Sequence, residues 1–103
     1  MIATTALVES SGTAAPMREL ERCFRRHYEH VAVGEHEYLV RLHSGPALVT
    51  ERATSLRVDV VVRDAAAERA FQRSFADELD GRLGGHALHV AWSRGDAVPV
   101  SLR

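Results

Sequence analysis

Hydrophobic residues along this chain recur with two spacings, and each spacing predicts a different kind of element. Between Ala14 and about Glu29 the apolar residues lie three or four positions apart, which places them on one face of a helix. The other face carries arginines and glutamates and is expected to contact solvent. Thr13 precedes this first helix as a candidate N-cap. The apolar face holds Met17, Leu20, Phe24, Tyr28 and Val31.

A second helix is predicted to follow Asp64, whose carboxylate can accept hydrogen bonds from the free N–H groups of a first helical turn. Apolar residues recur four positions apart along it, and two of them are aromatic. These residues are Ala67, Phe71, Phe75 and Leu79. Gly81, Gly84 and Gly85 follow, and glycines commonly end helices, so the helix is expected to stop there.

Five segments alternate between apolar and polar residues or are rich in β-branched residues, and we predict strands there. The clearest begins at Leu56, with valines at every second position after it. Turns are predicted at residues 10–13 and 44–46, which contain serine, glycine and proline. The predicted strands cover residues 2–9, 38–43, 47–52, 56–63 and 86–93.

The order β-α-β-β-β-α-β predicts an α+β fold, a two-layer sandwich with both helices on one face of an antiparallel or mixed sheet. Residues 2–94 are expected to form a single domain and residues 95–103 a C-terminal tail. The other sheet face is then open, and we interpret it as solvated surface, with a dimer or ligand platform as the alternative. That face is predicted to carry Arg41, His43, Arg57, Asp59, Val61, Arg63 and His89.

Composition and charge exclude several classes of function. The 103 residues carry a formal net charge of −1, with basic residues interspersed among acids, so nucleic acid is not an expected partner. All 13 basic residues are arginines, which excludes chemistry that depends on a lysine amine. No segment resembles a signal peptide or is apolar for long enough to span a membrane, and Cys23 is the single cysteine. We therefore expect a cytoplasmic protein without membrane association.

Three residues of metal-binding type border the apolar face of the first predicted helix. Cys23, His27 and His30 lie four and three positions apart, so their side chains are expected to form a stripe within reach of one transition-metal ion. A fourth ligand would come from another element. The alternative is that Cys23 packs in the core and the two histidines are boundary residues with hydrogen-bonded tips.

Catalysis is the less favoured interpretation of the same stripe. His27 could act as a base for a Cys23 nucleophile, but the sequence signals neither a third orienting group nor an oxyanion hole. Motifs for phosphate loops, dinucleotide sites and zinc proteases are also absent from the sequence. A non-enzymatic binding protein is therefore the leading hypothesis.

Three short motifs give the chain a resemblance to a family of small bacterial proteins catalogued as domain of unknown function 2218. Residues 27–30 (His-Tyr-Glu-His) look like the family's His-aromatic-x-His at the end of its first helix. Residues 56–58 (Leu-Arg-Val) resemble its strand that leads to an acidic cap, and residues 88–92 (Leu-His-Val-Ala-Trp) are similar to its closing strand. The resemblance spans about residues 3 to 93.

Two positions depart from the pattern of that family. The family cysteine lies two residues before the first histidine, whereas Cys23 lies four before His27. A family histidine late in the second helix is Glu78 in this chain. Since glutamate can also ligate a metal, the resemblance adds Glu78 to the candidate metal residues Cys23, His27 and His30.

Members of this family are often found beside, or fused to, siderophore-interacting flavin reductases. The resemblance therefore implies an accessory role in iron or siderophore utilisation, with such a reductase as a partner. The competing hypothesis is a homodimeric interaction module that works through the open sheet face and binds no small ligand.

Overall fold

The computed structural model describes residues 1–10, 15–42, 45–52, 54–83, 88–95 and 102, and at residues 10, 15–17, 27, 80–83 and 88 it describes the backbone alone. In these ranges the chain forms two helices and six strands. The helices are α1 (Ala15–His27) and α2 (Ala65–Leu83), and the strands are β1 (Ile2–Ser10), β2 (His30–Ala32), β3 (Glu37–Leu42), β4 (Gly45–Glu51), β5 (Ser55–Val62) and β6 (Leu88–Arg94).

One sheet contains these six strands in the order β2-β3-β4-β5-β1-β6, and each neighbouring pair is antiparallel. The strand nearest the start of the chain, β1, therefore lies in the interior of the sheet, between β5 and β6. Both helices pack on one face of the sheet. The predicted α+β sandwich is confirmed, and the sheet is antiparallel rather than mixed.

The core lies between the sheet and the helices and is built from alternate residues of the strands. On β5, every second residue from Leu56 to Val62 is buried, as the sequence predicts. The register places Val58 beside Ala6 of β1 and Val49 of β4, so one continuous apolar layer crosses the sheet. Each fully buried valine or leucine contributes about 1.5–3 kcal/mol relative to an exposed one.

Aromatic contacts join the two helices to β6. The rings of Phe24 on α1 and Phe75 on α2 are stacked with centroids 6.2 Å apart. Trp92 of β6 meets Phe71 at 5.7 Å and Phe75 at 5.8 Å, edge-on in both cases. Such pairs contribute about 0.5–1.5 kcal/mol each beyond the burial of their area. The packing of α2 against the sheet thus includes a cluster of two phenylalanines and one tryptophan.

The end of α1 differs from the prediction. The helix ends at His27 rather than near Glu29, and residues 30–32 form the short edge strand β2, which the sequence pattern did not predict. Val31 pairs with Leu39 of β3 and is 65% exposed, so its predicted place on the apolar face of α1 is wrong. Backbone pairing with β3 outweighs a helical spacing that continues for only one more turn.

The sequence predicts the start of α2 correctly but places its end too early. The Asp64 cap is confirmed, because its Oδ1 accepts a hydrogen bond of 2.8 Å from the N–H of Ala67. Gly81 does not end the helix, which continues to Leu83. A glycine inside a helix costs only about 1 kcal/mol relative to alanine, so tertiary packing can override it. Gly84 and Gly85 lie outside the described residues, as does Thr13.

The hairpin between β3 and β4 is tighter than predicted. Gly45, which the sequence placed in a turn, begins β4 and pairs with Leu42, so two residues connect the paired positions. Gly45 has a φ of 121°, a conformation that favours glycine. The connecting residues, His43 and Ser44, lie outside the described residues, as do residues 96–101 and 103 of the predicted tail.

Candidate functional site

A narrow cleft lies where α1 and α2 face each other above the sheet. Its walls are almost entirely apolar, although the residues that line it include a cysteine, a glutamate and a tyrosine. The free volume at its centre is about 10 Å³, the space of a single water-sized sphere. The residues that line it are Leu20, Cys23, Phe24, Tyr28, Phe75, Glu78 and Leu79.

The helical spacing explains why the polar groups meet at this place. Cys23 immediately precedes Phe24, which is buried, and therefore lies at the margin of the apolar face of α1. Glu78 precedes the buried Leu79 and follows Phe75 by three residues, so it lies at the matching margin of α2. Both side chains are partly buried. Packing the two apolar faces together thus brings a cysteine and a glutamate to one cleft.

Tyr28, just beyond the end of α1, also lines the cleft and carries a buried hydroxyl. This oxygen is buried and, among the described residues, has no hydrogen-bond partner. An unsatisfied buried hydroxyl costs about 1–3 kcal/mol, so a ligand or water that bonded to it would stabilise the site. Tyr28, beside the cleft, therefore has a hydroxyl whose bonding capacity the described side chains do not use.

The structure brings together two of the four predicted metal residues. Cys23 and Glu78, from different helices, line the same cleft. His27 is the last residue of α1, one turn after Cys23, and its side chain lies outside those described. Among the described residues, no group of three histidine, cysteine, aspartate or glutamate side chains is placed to hold a metal ion.

His30 does not belong to a helical stripe, which corrects the expectation that it continues the edge of α1. It opens β2 and is exposed. Its ring meets Tyr38 edge-on with centroids 5.9 Å apart, and its Nδ1 lies 3.4 Å from the carbonyl oxygen of Tyr28. The prediction was wrong because α1 ends before His30. The predicted stripe assumes that each residue is rotated by 100° about the helix axis, and a strand residue does not follow that rotation.

A second polar cluster, which the sequence did not reveal, surrounds Tyr38 of β3. Arg25 of α1 donates a hydrogen bond of 2.6 Å from Nη2 to Glu51 of β4, and its guanidinium lies 5.2 Å from the centre of the Tyr38 ring. Tyr38 is only 3% exposed, and its hydroxyl has no hydrogen-bond partner within the described residues. The sequence offers one signal, Glu21 four residues before Arg25, but that spacing is typical of a solvated helix face.

Burial dominates the electrostatics of this second cluster. Desolvation raises the pKa of the Tyr38 phenol well above its ordinary value, and the charge of Glu51 adds to the effect while Arg25 opposes it. Desolvation also raises the pKa of Glu21, again with help from Glu51 and against Arg25. Because Arg25 already neutralises Glu51, we interpret the cluster as an ion-pair network that fixes α1 on the sheet.

Comparisons with known proteins support the fold but indicate no function. Neither a protein-family model nor a curated protein matches the chain. Among solved structures, it is similar to the NMR structure of PA4090 from Pseudomonas aeruginosa, with a TM-score of 0.53 and 15% identity over 90% of this chain and 96% of that one. At this identity the likeness shows a shared fold alone. The resemblance to domain of unknown function 2218 stays a prediction.

The described residues also bear on membrane association. None of the helices within them is long and apolar enough to cross a bilayer.

Proposed function

We propose that this protein is a non-enzymatic binding protein that takes one transition-metal ion in the cleft between α1 and α2. Its ligands would be Cys23 from the first helix and Glu78 from the second. The observation that carries the proposal is that these two side chains, far apart in the sequence, line one water-sized cleft. A metal bound there would also join the two helices.

His27 is the third proposed ligand. It follows Cys23 by four residues in α1, a spacing that brings the two Cβ atoms to about 5–6 Å from each other. Thiolate, imidazole and carboxylate together suit zinc, iron or cobalt better than calcium or magnesium, which prefer sets of oxygen ligands. His30, across the Tyr38 ring, is left out of the proposed ligand set.

The size of the cleft supports a bare ion over an organic ligand. Pockets that bind small organic molecules usually measure about 300–1,000 Å³, whereas the free volume here is about 10 Å³. A whole siderophore or an enzyme substrate would have to separate the stacked rings of Phe24 and Phe75, which lie 6.2 Å apart. The same argument favours binding over catalysis.

The family resemblance supports iron as the metal of biological interest. Its members accompany siderophore-interacting flavin reductases, which implies a role in iron utilisation. A small cytoplasmic accessory protein could bind iron in that context, and a reductase of this kind would be its partner. This context is part of the proposal and comes from the resemblance.

Cobalt titration under anaerobic conditions tests the site. Co²⁺ substitutes for ferrous iron or zinc, and a cobalt–thiolate bond gives a charge-transfer absorption in the near ultraviolet. We expect one ion per chain and a thiolate band, with binding at least about tenfold weaker in Cys23→Ser, His27→Ala and Glu78→Gln. His30→Ala is the matched control, since it removes an imidazole outside the cleft, and it should bind like the unmodified protein.

Two results would overturn the proposal. One is negligible binding of cobalt, zinc and ferrous iron by the unmodified protein, measured by elemental analysis after gel filtration. The other is binding that His30→Ala weakens while Cys23→Ser and Glu78→Gln leave it unchanged. Circular dichroism of each variant shows whether a loss of binding reflects a loss of fold.

A further inference from the structure

The two edges of the sheet differ in how well they are protected against pairing with another chain. At one edge β2 has only three residues, whereas β6 at the other edge has seven. Natural proteins protect their edges with short strands, charges, prolines or bulges. β6 contains no proline, and its register with β1 runs without a bulge. Within the described ranges no strand pairs with its outer side, so β6 is an open edge.

The alternation of backbone hydrogen bonds shows which groups of β6 point outward. Gly95, directly after the strand, donates its N–H to the carbonyl oxygen of Ala3 in β1. Successive residues of an antiparallel strand direct their backbone groups to opposite sides. The odd-numbered residues of β6 therefore bond to β1, and the even-numbered ones direct their N–H and C=O groups away from it. These outward residues are Leu88, Val90, Trp92 and Arg94.

The side chains along this edge suit contact with a further strand. Val90 and Trp92 pack against the core but are only partly buried, so apolar surface remains exposed at the edge. Arg94 is already paired with Glu68 at 2.7 Å, so a neighbouring strand would not cover an unpaired charge. On the opposite face of the strand, Ala91 and Ser93 are small and exposed.

We propose that β6 pairs in antiparallel direction with β6 of a second copy, which joins two six-stranded sheets into one continuous sheet. The two-fold axis would pass through Ala91, the midpoint of the strand, because only this register pairs all seven residues. It also sets outward residues opposite outward residues, as antiparallel hydrogen bonding requires. Val90 then lies opposite Trp92 of the partner subunit, and Trp92 lies opposite Val90 of the partner subunit.

A second copy fits this edge because the strand complements itself. In a two-fold interface the same patch serves both subunits, so every contact off the axis forms twice. The contact between Val90 and Trp92 of the partner subunit is an aromatic–β-branched pair, which stabilises antiparallel strands. Both copies thereby cover apolar side chains that a single chain leaves partly exposed.

The charges of α2 are divided in a way that agrees with the same axis. Arg73 and Asp77 are exposed and lie two residues before and two residues after Phe75. The ring of Phe75 contacts Trp92, which is next to Ala91, so the middle of α2 lies near the proposed axis. The two-fold operation reverses the helix of the partner. The basic half of each α2 therefore faces the acidic half of the other.

The size of the edge indicates a weak dimer. Seven residues at about 3.3 Å each give a length of about 23 Å, and the sheet and helix layers together give a depth of about 15 Å. Two such edges bury roughly 700 Å² in total, which is typical of transient rather than permanent complexes. A dissociation constant on the order of 10–100 µM is therefore expected.

Opposite charges placed on the axis test the register. In Ala91→Glu and in Ala91→Lys the new side chain would meet its own copy, so each variant alone should dimerise at least about tenfold more weakly. An equimolar mixture of the two should recover as a heterodimer, since unlike charges then meet. Sedimentation equilibrium from about 5 to 500 µM measures all three samples. Ala32→Glu, the same change on the exposed edge strand β2, is the matched control and should dimerise like the unmodified protein.

Proline substitution tests the use of the backbone. Val90→Pro removes an N–H that points away from β1, so the fold should persist while the dimer is lost up to about 500 µM. Ala32→Pro removes a comparable outward N–H at the other edge, because Val33 and not Ala32 donates to Glu37 of β3. This control should leave the dimer intact. Circular dichroism confirms the fold of each variant.

Several outcomes would overturn the dimer. A monomer at the highest concentration of the unmodified protein contradicts it directly. If Ala32→Glu weakens association as much as Ala91→Glu does, the contact involves another surface or net charge alone. A mixture of folded Ala91→Glu and Ala91→Lys that fails to recover excludes this axis, whether or not Val90→Pro folds. A folded Val90→Pro that dimerises normally excludes pairing through this edge.

Discussion

At the scale of single residues, Glu68 shows how a buried charge is satisfied in this fold. Its side chain is buried beneath the first turn of α2 and pairs with Arg94 of β6. Arg94 donates from Nη2 at 2.7 Å and from Nε at 3.1 Å, so the guanidinium holds both carboxylate oxygens. The pKa of Glu68 lies below its ordinary value of 4.5, and the hydrogen bonds from Arg94 are the largest cause.

A lowered pKa makes stability depend on pH in one direction. The unfolded chain binds a proton at Glu68 more readily than the folded chain does, so the contribution of the pair is complete above pH 4.5 and is lost as the pH falls below it. We expect the urea midpoint of the native protein to decrease as the pH is lowered below about 4.5. Glu68→Gln should have a lower midpoint at pH 7 and a shallower decline over that range.

The comparison variant for this prediction is Glu19→Gln, which removes an exposed carboxylate from α1. Its urea midpoint should follow the pH dependence of the native protein. If Glu68→Gln and Glu19→Gln lose stability with the same slope below pH 4.5, the pair with Arg94 has no special role in acid sensitivity.

The success of sequence-based prediction at this scale depends on how far away the partner lies in the chain. Asp64 could be recognised as a cap because it bonds to Ala67, three residues later. Glu68 could not be recognised as buried, since Arg94 reaches it only after β6 joins the sheet. The same holds for Arg25, whose partner Glu51 is on β4.

At the scale of secondary structure, periodicity succeeds in the middle of an element and fails at its ends. The strand around Val58 was predicted because its alternation continues for eight residues. The end of α1 was not predicted, because three residues of β2 carry too little pattern to compete with the helical spacing before them. The candidate site shows the same contrast. The helical place of Cys23 was predicted correctly because it lies within α1, whereas that of His30 was wrong because it lies beyond the end of the helix.

The N-terminus of α2 provides a prediction at this scale. Asp64→Ala removes the acceptor for the N–H of Ala67 and should lower the free energy of unfolding by about 1 kcal/mol. Asp64→Asn keeps an acceptor in the same position and should stay within a few tenths of a kcal/mol of the native protein. Urea denaturation followed by circular dichroism measures both variants. Equal losses in the two would indicate that charge, rather than the hydrogen bond, stabilises this end.

At the scale of the whole molecule, the interior place of β1 links regions that are distant in the sequence. Its residue Ala6 pairs with Val58 on one side and with Trp92 on the other. The sheet is therefore incomplete until the last strand has joined. Such long-range antiparallel pairing slows folding relative to helical proteins of similar size.

Refolding kinetics test this expectation. Trp92 is the single tryptophan and lies against Phe71 and Phe75, so its fluorescence reports the docking of α2 and β6 together. We expect refolding in milliseconds to seconds, with fluorescence and helical circular dichroism recovering at the same rate. Recovery of the full helical signal in microseconds, ahead of the fluorescence, would show instead that the helices form without the sheet.

The pairing of the first and last strands also brings the two ends of the fold together. The N–H of Gly95 bonds to the carbonyl oxygen of Ala3 at 2.9 Å, so the chain enters and leaves the sheet at one place. A domain with adjacent ends can be placed within a surface loop of another protein without pulling that loop apart. This protein is therefore suited to serve as an inserted module, and a circularly permuted chain opened between β2 and β3 at Gly34 should keep the same sheet order.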